Sequence, residues 1–445
     1  MTVSPLARWV FAGIAVVSAA VALNRIVSPW DDANLFHRDF LQEHLIAQAI
    51  SDGDDPYKPL PELAKKYLPE QPPLPWKHAT PHPPPAAVAF VPLGVLPFRI
   101  GRLLWLAIEL GCLVAFIAMI SRWWGADVSW KFKTLAALAS LTFGPVFSEL
   151  WNGQFSMFLL VLVTAAWLRL RDGKDASGGA LLGLAVALKL TAWPTAIFLT
   201  LKRRGRAVAA CAAVIVVANL LAASVLGLET IRRYYAAVGP TVARSYRQYL
   251  ENYSFWSVGS RFFGTERIEG LFGVATQPLW ANPTLEGIVT YSLPALMLAL
   301  SLTLAWRCRS FDSAYGILLT VGIPINPVVW DHSLLLSALP IAICVRRLAA
   351  IGFTRTSAAL VAVAIAISIL APHAYLEMMA LAFVVPESNY GNVIPFLPGL
   401  ATYLPLIPLG IWTWLLWTTD GQAAPETSTE SFAVQRNSPV CSPVK

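Results

Sequence analysis

Apolar runs of roughly 15 to 24 residues recur along almost the whole chain, with polar segments between them. A helix needs about 20 apolar residues to cross the hydrocarbon core of a bilayer, and a helix satisfies its own backbone hydrogen bonds there. The pattern therefore predicts an all-α polytopic membrane protein with about 11 to 13 transmembrane or re-entrant helices. The runs lie near 6–27, 82–98, 103–121, 134–150, 154–168, 178–201, 205–227, 286–306, 311–329, 333–345, 356–372 and 396–417.

Two long polar segments and a polar tail interrupt this pattern. The first polar segment covers 28–81 and the second covers 229–284. The tail, 418–445, is rich in Pro, Ser and Thr, a composition that predicts disorder. Residues 1–417 are therefore expected to form one transmembrane domain, with the tail in the cytoplasm and no large separate soluble domain.

The basic loops decide how the chain is threaded. Six runs separate the two polar segments, so both segments share a side if every run crosses once. Two basic loops, 122–133 and 169–174, would then lie outside the cell, although Lys and Arg are in excess in cytoplasmic loops.

Two broken runs remove this conflict. If the Pro-rich run 82–98 is re-entrant and run 178–201 is a hairpin broken near Lys189 and Pro194, both basic loops move to the cytoplasm. Proline and an internal lysine favour such breaks. We prefer this arrangement, which places both polar segments on the extracytoplasmic side of the cell membrane.

Composition narrows the class further. Only 13% of the residues are charged, against about 25% in a typical soluble protein, which supports a membrane protein. The net charge of +7 does not indicate nucleic acid, because many of the basic residues lie in short clusters between apolar runs. The five cysteines show no CxxC spacing, so neither a disulfide framework nor a zinc site is indicated.

Asp39 is the first candidate for chemistry, in the stretch FHRDFLQEHL. On a helix through 35–50 it falls between Ile46 and Ile50 on the apolar sector. Burial would raise the pKa of this acid toward the range of a general base. The same residues also fit a helix N-cap with Gln42 as its capping-box partner, and the local pattern alone favours that cap.

Lys189 is the second candidate, because it lies deep in the apolar stretch GGALLGLAVALKLTAWP. An intramembrane lysine is a functional candidate, since a buried ammonium needs an anionic partner. The alternative is that its long stem lets the charge reach a nearby interface. If the helix breaks here, Lys189 could instead reach a phosphate group.

Polar side chains at two corners add further candidates. Asn152 and Gln154 flank a glycine between two apolar runs, which fits either a simple turn or a substrate contact. Asp331 and His332 also lie between apolar stretches. Adjacent residues cannot face each other on a helix, so these two are expected to line a polar pocket separately.

The stretch ENYSFWSVGSRFFG combines Asn252 and Arg261 with aromatic rings. Aromatic faces pack on sugars and the Arg fork binds phosphate. An interfacial helix with its rings among lipid headgroups is the alternative interpretation. Elsewhere the chain has no GxxxxGK[ST], GxGxxG, HExxH or GxSxG motif, so chemistry driven by a cytoplasmic nucleotide is not expected.

Taken in order, the motifs resemble glycosyltransferase family 87 of the GT-C membrane glycosyltransferases, over about residues 8–417. The resemblance rests on six short elements, and at one of them His82 stands where the family usually has an aromatic residue. The elements are DFLQEHLIAQAISDGDDPY, HPPPAAVAFVPLGVLP, Gly153-Gln154, GLAVALKLTAWP, Asn252 with Ser254 and Arg261, and Pro327 with Trp330 and His332.

This resemblance implies a GT-C fold and an inverting mannosyltransferase at the outer face. The donor would be a polyprenyl-phosphate-linked mannose and the acceptor a glycolipid or lipoglycan. Asp39 would be the general base, and Lys189, Arg261 and His332 would neutralise the leaving phosphate without a metal or other cofactor. His82, Asn152, Gln154, Asn252 and Asp331 complete the expected substrate contacts.

Two alternatives stay open at this point. A secondary transporter could use Asp39 and Lys189 as coupling charges, although transporters usually show internal repeats and a site at the middle of the membrane. A GT-C enzyme could also use a different polyprenyl-phosphate sugar. Apart from its substrates, the protein is expected to contact membrane lipids, and no nucleic acid.

Overall fold

The computed structural model describes residues 39–69, 77–125, 143–265, 275–370, 382–387 and 391–422, with the single positions 20, 74, 129, 130, 134 and 140. Within this part of the chain helices account for nearly all regular structure. Four helices are long and apolar enough to span a bilayer, and five shorter ones are also apolar, which confirms an all-α polytopic membrane protein. The four are Phe98–Trp124, Gly205–Leu226, Pro283–Arg307 and Asp331–Ile351.

Short helices precede the first long one. The described part of the first polar segment forms α1 (Phe40–Ser51) and α2 (Leu60–Tyr67), and α5 (Phe98–Trp124) follows after Pro97. Between α2 and α5, the two short helices α3 (Pro84–Ala89) and α4 (Val91–Gly94) divide the run 82–98. The expected break is therefore present, whereas re-entry into a membrane stays a prediction. The predicted run 6–27, the part of the predicted run 134–150 before residue 143, and the tail from 423 lie almost entirely outside the described residues.

The middle of the chain forms α6 (Gly144–Asn152), α7 (Ser156–Arg171), α8 (Asp175–Leu188), α9 (Trp193–Leu201) and α10 (Gly205–Leu226). Lys189 ends α8 with an extended backbone, and one 3-10 turn separates it from α9. Pro194 lies in the first turn of α9, where its missing N–H group breaks no helical hydrogen bond. The predicted break of run 178–201 near Lys189 and Pro194 is thus confirmed.

The second polar segment is helical as well. It contains α11 (Leu228–Arg233), a π-helical turn over Tyr234–Val238, α12 (Gly239–Ser245) and α13 (Phe255–Phe263). The remaining helices are α14 (Pro283–Arg307), α15 (Phe311–Ile325), a 3-10 turn at Asp331–Ser337, α16 (Ala338–Ile351), α17 (Arg355–Leu370), α18 (Phe396–Ala401) and α19 (Leu406–Thr418).

A small sheet lies beside α13 and α18. It consists of β1 (Ala275–Thr276), β2 (Val385–Glu387) and β3 (Gly391–Ile394) in the order β1-β3-β2. β1 pairs in parallel with β3, with Ala275 opposite Val393, and β2 pairs antiparallel with β3. The sheet joins the second polar segment to the C-terminal helices.

An ion pair closes α8 and α9 into a hairpin. Arg204, which follows α9, pairs with Asp175 at the start of α8 and donates to the carbonyl oxygen of Leu170 at 2.7 Å. The start of α8 therefore lies beside the end of α9, and Lys189 lies at the opposite end of the hairpin. This confirms the hairpin that the sequence predicts for run 178–201.

Further ion pairs collect basic residues at the same end of the bundle, which we call the basic end. Arg171 at the end of α7 lies 3.1 Å from Asp312 at the start of α15. Arg347 of α16 lies 3.8 Å from Asp420, just after α19. The basic loops after α7 and α9 thus share one end, as the preferred threading of the sequence requires.

Glycines let α8 and α10 approach closely. A Cβ atom on Gly179 would lie 2.1 Å from the carbonyl oxygen of Ala207, and one on Gly183 would lie 2.5 Å from that of Cys211. Small residues at such contacts are typical of helix packing in membranes. The outward side chains of α10, including Leu220 and Leu221, are exposed and apolar, as expected for lipid contact.

We therefore expect Gly179→Ala to destabilise the protein. The added methyl group meets backbone atoms that cannot rotate away, and overpacking of this kind costs about 1–3 kcal/mol. Gly111→Ala is the matched control, because a Cβ atom there has open space within 4 Å. The measurement is thermal unfolding in detergent by tryptophan fluorescence. An equal or higher melting temperature for Gly179→Ala would contradict the close helix contact.

Candidate active site

A cavity of about 640 Å³ lies at the end of the bundle opposite the basic end. The first polar segment, the corner between α6 and α7, the break after α8, the second polar segment and the turn after α15 all contribute to its wall. Seven of the nine side chains predicted from the sequence line this cavity. They are Asp39, His82, Asn152, Gln154, Lys189, Asp331 and His332.

Asp39 precedes α1 and turns its carboxylate toward the cavity. One carboxylate oxygen accepts a hydrogen bond from Nε2 of Gln154 at 2.9 Å, and the other accepts from Nε2 of Gln42 at 3.1 Å. The side chain makes no capping bond to the helix backbone, so the capping-box interpretation is wrong. Burial raises the pKa of Asp39, although the amide of Gln154 and the charge of His82 oppose that rise.

The α6–α7 corner positions Gln154. Gly153 ends α6 in the left-handed region at φ 70°, and a Cβ atom there would lie 2.9 Å from the Cβ of Phe40. The indole N–H of Trp105 donates to the carbonyl oxygen of Gln154 at 3.1 Å. The corner is therefore a tight turn and also the support that holds the Gln154 amide against Asp39.

His82 is held from behind by an acid. Its Nδ1 atom contacts a carboxylate oxygen of Glu43, which lies one helical turn after Asp39 on α1 and is buried. The imidazole packs edge-on against the ring of Phe155, with 5.1 Å between ring centroids. The hydroxyl of Tyr57 donates to the carbonyl oxygen of His82 at 3.1 Å. Glu43 and the ring of Phe155 thus hold the imidazole at the cavity wall, and Tyr57 holds the backbone of His82.

Lys189 reaches the cavity because α8 ends at Leu188. Its Nζ atom lies 3.4 Å from Nε2 of His332 and 5.5 Å from the centroid of the Phe155 ring. Glu149 of α6 is fully buried nearby, and its charge interacts with that of Lys189. The ammonium therefore faces the polar pocket, which favours the functional interpretation over a lysine that only reaches an interface.

Asp331 and His332 lie in the 3-10 turn before α16. The hydroxyl of Tyr253 donates to a carboxylate oxygen of Asp331 at 2.9 Å. His332 is buried beside Lys189. The two adjacent residues thus have different partners, as the sequence suggested.

The structure does not bring Asn252 to the cavity. Its side-chain amide donates to the carbonyl oxygens of Tyr246 at 3.1 Å and Pro327 at 3.0 Å, and its oxygen accepts from the backbone of Val329 at 2.9 Å. The side chain therefore makes its hydrogen bonds within the protein, to the second polar segment itself and to the stretch that leads to Asp331. This corrects the expectation of a substrate contact.

Arg261 also lies outside the cavity wall. It is completely buried, donates to the carbonyl oxygen of Gly399 at 2.7 Å and to the hydroxyl of Thr402 at 2.8 Å, and lies over the ring of Tyr403 at 4.3 Å. The guanidinium therefore ties α13 to α18 and β1, where a phosphate could not reach it without rearrangement. This corrects the expectation that Arg261 neutralises the donor phosphate.

Sequence reasoning missed several aromatic residues at the cavity. Tyr246 and Tyr249 of the second polar segment line it together with Trp330. The three rings pack edge to face, with Trp330 4.9 Å from Tyr246 and 5.1 Å from Tyr249. The tyrosine-rich stretch SYRQYLENY was the available signal, but its rings could equally have been interfacial anchors.

The arrangement combines an acid that can accept a proton with basic groups that can face an anion. Gln154 orients the acid, and Lys189 and His332 lie on a neighbouring part of the wall. Within the described residues, no group of three or more His, Cys, Asp or Glu side chains could hold a metal ion. Such a pocket suits removal of a proton close to a departing phosphate.

Comparisons with known proteins point in the same direction. A relative from Mycobacterium tuberculosis (strain CDC 1551 / Oshkosh) is 28% identical over 273 residues, covering 58% of this chain and 56% of the relative. One from Mycolicibacterium smegmatis is 28% identical over 278 residues, covering 58% of each chain. Both are named polyprenol-phosphate-mannose-dependent alpha-(1-2)-phosphatidylinositol pentamannoside mannosyltransferase.

The matches differ in how much of the chain they cover, and this coverage decides whether they show the family. The chain spans just over half the length of the curated relatives that it matches. No solved structure matches it significantly. The family model described as glycosyltransferase family 87 matches residues 80–323, from the Pro-rich end of the first polar segment into α15. Because this match covers more than half of the chain, the protein belongs to glycosyltransferase family 87.

Proposed function

We propose that the protein transfers mannose from a polyprenyl-phosphate donor to a glycolipid or lipoglycan acceptor, with inversion at the anomeric carbon and Asp39 as the general base. The observation that carries this proposal is the Asp39 carboxylate, which faces the cavity and is held by Gln154 instead of capping its helix. The names of the two mycobacterial relatives support the donor and a glycolipid acceptor. Family membership argues against a transporter.

The reaction is a single displacement. The acceptor hydroxyl oxygen attacks the anomeric carbon of mannose and forms the new glycosidic bond. Asp39 takes the proton of that hydroxyl, and the bond between the anomeric carbon and the phosphate oxygen breaks with its electron pair on the phosphate. The raised pKa of Asp39 makes the carboxylate a stronger base than an exposed aspartate.

The leaving phosphate carries negative charge that the pocket must balance. Lys189 supplies an ammonium at the wall, and His332 lies 3.4 Å from it. Fixed charges facing a developing anion in a water-poor pocket stabilise the transition state strongly. Arg261 has no part in this step, since its guanidinium is used between α13 and α18.

The distribution of charge supports an extracytoplasmic active site. Arg171, Arg204 and Arg347 form ion pairs at the basic end, whereas Lys189 and Asp39 lie at the cavity end. Basic loops are retained on the cytoplasmic side. The cavity would then open on the outer side, where a lipid-linked sugar can approach without a bound nucleotide.

Replacing the base tests the proposal directly. We expect Asp39→Asn to lower kcat by about 10²–10⁴-fold, because an amide cannot accept the proton. Membranes are incubated with radiolabelled mannosyl polyprenyl phosphate and a lipid extract, and labelled glycolipid is counted. Asp52→Asn is the matched control, since Asp52 is exposed at the other end of α1. Full transfer by Asp39→Asn would refute the mechanism.

The pH dependence of transfer tests the surroundings of Asp39. The base must be ionised, so kcat falls as the pH drops through its raised pKa. Gln154→Leu removes a hydrogen bond that favours the charged form, so the acidic limb should move to higher pH. Gln42→Leu should move it less, because Gln42 lowers the pKa of Asp39 least. A limb that stays in place in Gln154→Leu would exclude Asp39 as the titrating base.

Chelation tests how the phosphate charge is balanced. Because Lys189 and His332 can face the phosphate, we expect EDTA to leave the transfer rate within about twofold of that of untreated membranes. The control is the same membrane preparation after EDTA and re-addition of Mg²⁺ or Mn²⁺. Loss of transfer that either ion restores would show that a metal, and not these side chains, carries the charge.

A further inference from the structure

Two carboxylates are buried directly behind the cavity and take no part in the reaction as proposed. Glu43 of α1 and Glu149 of α6 have almost no exposed surface. A buried carboxylate is costly unless a positive group or hydrogen-bond donors compensate it. Glu43 contacts the basic side chain of His82 at the cavity wall, whereas Glu149 accepts a hydrogen bond from the backbone N–H of Met157 at 2.7 Å, and its charge interacts with that of Lys189.

The contact between Glu43 and His82 determines what the imidazole can offer. The carboxylate contacts Nδ1, which leaves Nε2 as the ring nitrogen for other partners. A carboxylate on one ring nitrogen fixes both the orientation and the protonation of an imidazole. When both ring nitrogens carry protons, Nε2 is a hydrogen-bond donor as well.

His82 and Lys189 share one neighbour. The ring of Phe155 lies 5.1 Å from the imidazole centroid and 5.5 Å from the Nζ atom of Lys189. The two basic groups therefore contact the same buried ring. Both also line the cavity that contains Asp39. An anion bound in this part of the cavity would be near both groups.

We propose that His82 and Lys189, which both contact the buried ring of Phe155, form a phosphate subsite at the cavity wall, and that Glu43 is a positioning residue that orients His82 to donate a hydrogen bond to the phosphate. The ligand class is a lipid-linked phosphate, and this assignment rests on the proposed function for its role in catalysis. Charge-assisted hydrogen bonds to phosphate are short and strong, and two donors from different elements would fix the departing group in line with Asp39.

Phosphate could reach this subsite from two sources, the polyprenyl phosphate of the donor or the phosphate of a phospholipid acceptor. We assign it to the donor, because Lys189 and His82 lie in the same cavity as the base, where the bond to the leaving group breaks. The binding assay uses purified full-length protein in nanodiscs and polyprenyl phosphate itself, the released product. A parallel arm replaces this probe with vesicles containing phosphatidylinositol.

The variants form a double-mutant cycle. Glu43→Gln and His82→Gln are each expected to weaken binding of polyprenyl phosphate roughly 10- to 100-fold. The double variant should be no weaker than His82→Gln, because Glu43 acts only through the imidazole. His82→Lys should retain more affinity than His82→Gln. Glu62→Gln, an exposed glutamate on α2, is the matched control.

A spectroscopic readout separates positioning from a general loss of structure. Protein labelled with ¹⁵N-histidine should show a strongly hydrogen-bonded ring N–H signal that disappears in His82→Gln and also in Glu43→Gln. Retention of this signal in Glu43→Gln would overturn the assignment of the pair. Additive losses of affinity in the double variant would overturn it as well, since they indicate that Glu43 acts independently of His82.

Failure of the subsite differs from failure of the proposed function. Equal binding of polyprenyl phosphate by wild type and His82→Gln, or no binding by wild type, overturns the subsite even if mannose transfer is observed. Weakening confined to the phosphatidylinositol arm also overturns the assignment to the donor. If wild type binds polyprenyl phosphate through His82 but transfers no mannose to any acceptor, the subsite stands and the proposed reaction fails.

Discussion

The hydrogen bond from Gln154 to Asp39 is the contact on which the pocket depends. It joins two residues 115 positions apart, at 2.9 Å. The bond forms only because Gly153 adopts a left-handed turn against Phe40, a turn that L side chains rarely adopt and where a Cβ atom would lie too close. Through it, the first polar segment is fixed to the α6–α7 corner, and the acid keeps its orientation although burial disfavours its charge.

Charge in this apolar protein is tolerated because it is arranged in pairs. Behind the cavity, Glu43 contacts His82. At the basic end, arginines are paired with aspartates in the same way, as Arg171 is with Asp312. Removing one partner from such a buried pair leaves an uncompensated charge, which costs more than the pair contributes. The pairs therefore restrict which side chains can face the pocket.

The features that local sequence determines were predictable, and those that distant contacts determine were not. The helix break at Lys189 and the all-α fold follow from proline, lysine and apolar length within a few residues. The role of Asp39 was ambiguous locally, because the same residues fit a cap. Arg261 was misassigned and Glu43 overlooked for one reason. The partners of Arg261 lie 11 to 141 positions away in the sequence, and His82 lies 39 positions from Glu43. No local sequence pattern distinguishes a polar side chain that links two elements inside the protein from one that contacts a substrate.

The separation of the two ends of the bundle fits the lipid-borne reaction that we propose. Helix α7 begins at Ser156, just after the corner at Gln154, and ends at Arg171. Its length of about 24 Å, at 1.5 Å per residue, approaches the thickness of a bilayer core. The helix thus carries an anchoring charge at one end and a site residue at the other. For the lipid-linked donor that we propose, a cavity at the end of such a helix would need only side chains that orient the sugar and balance the phosphate, and no nucleotide-binding domain.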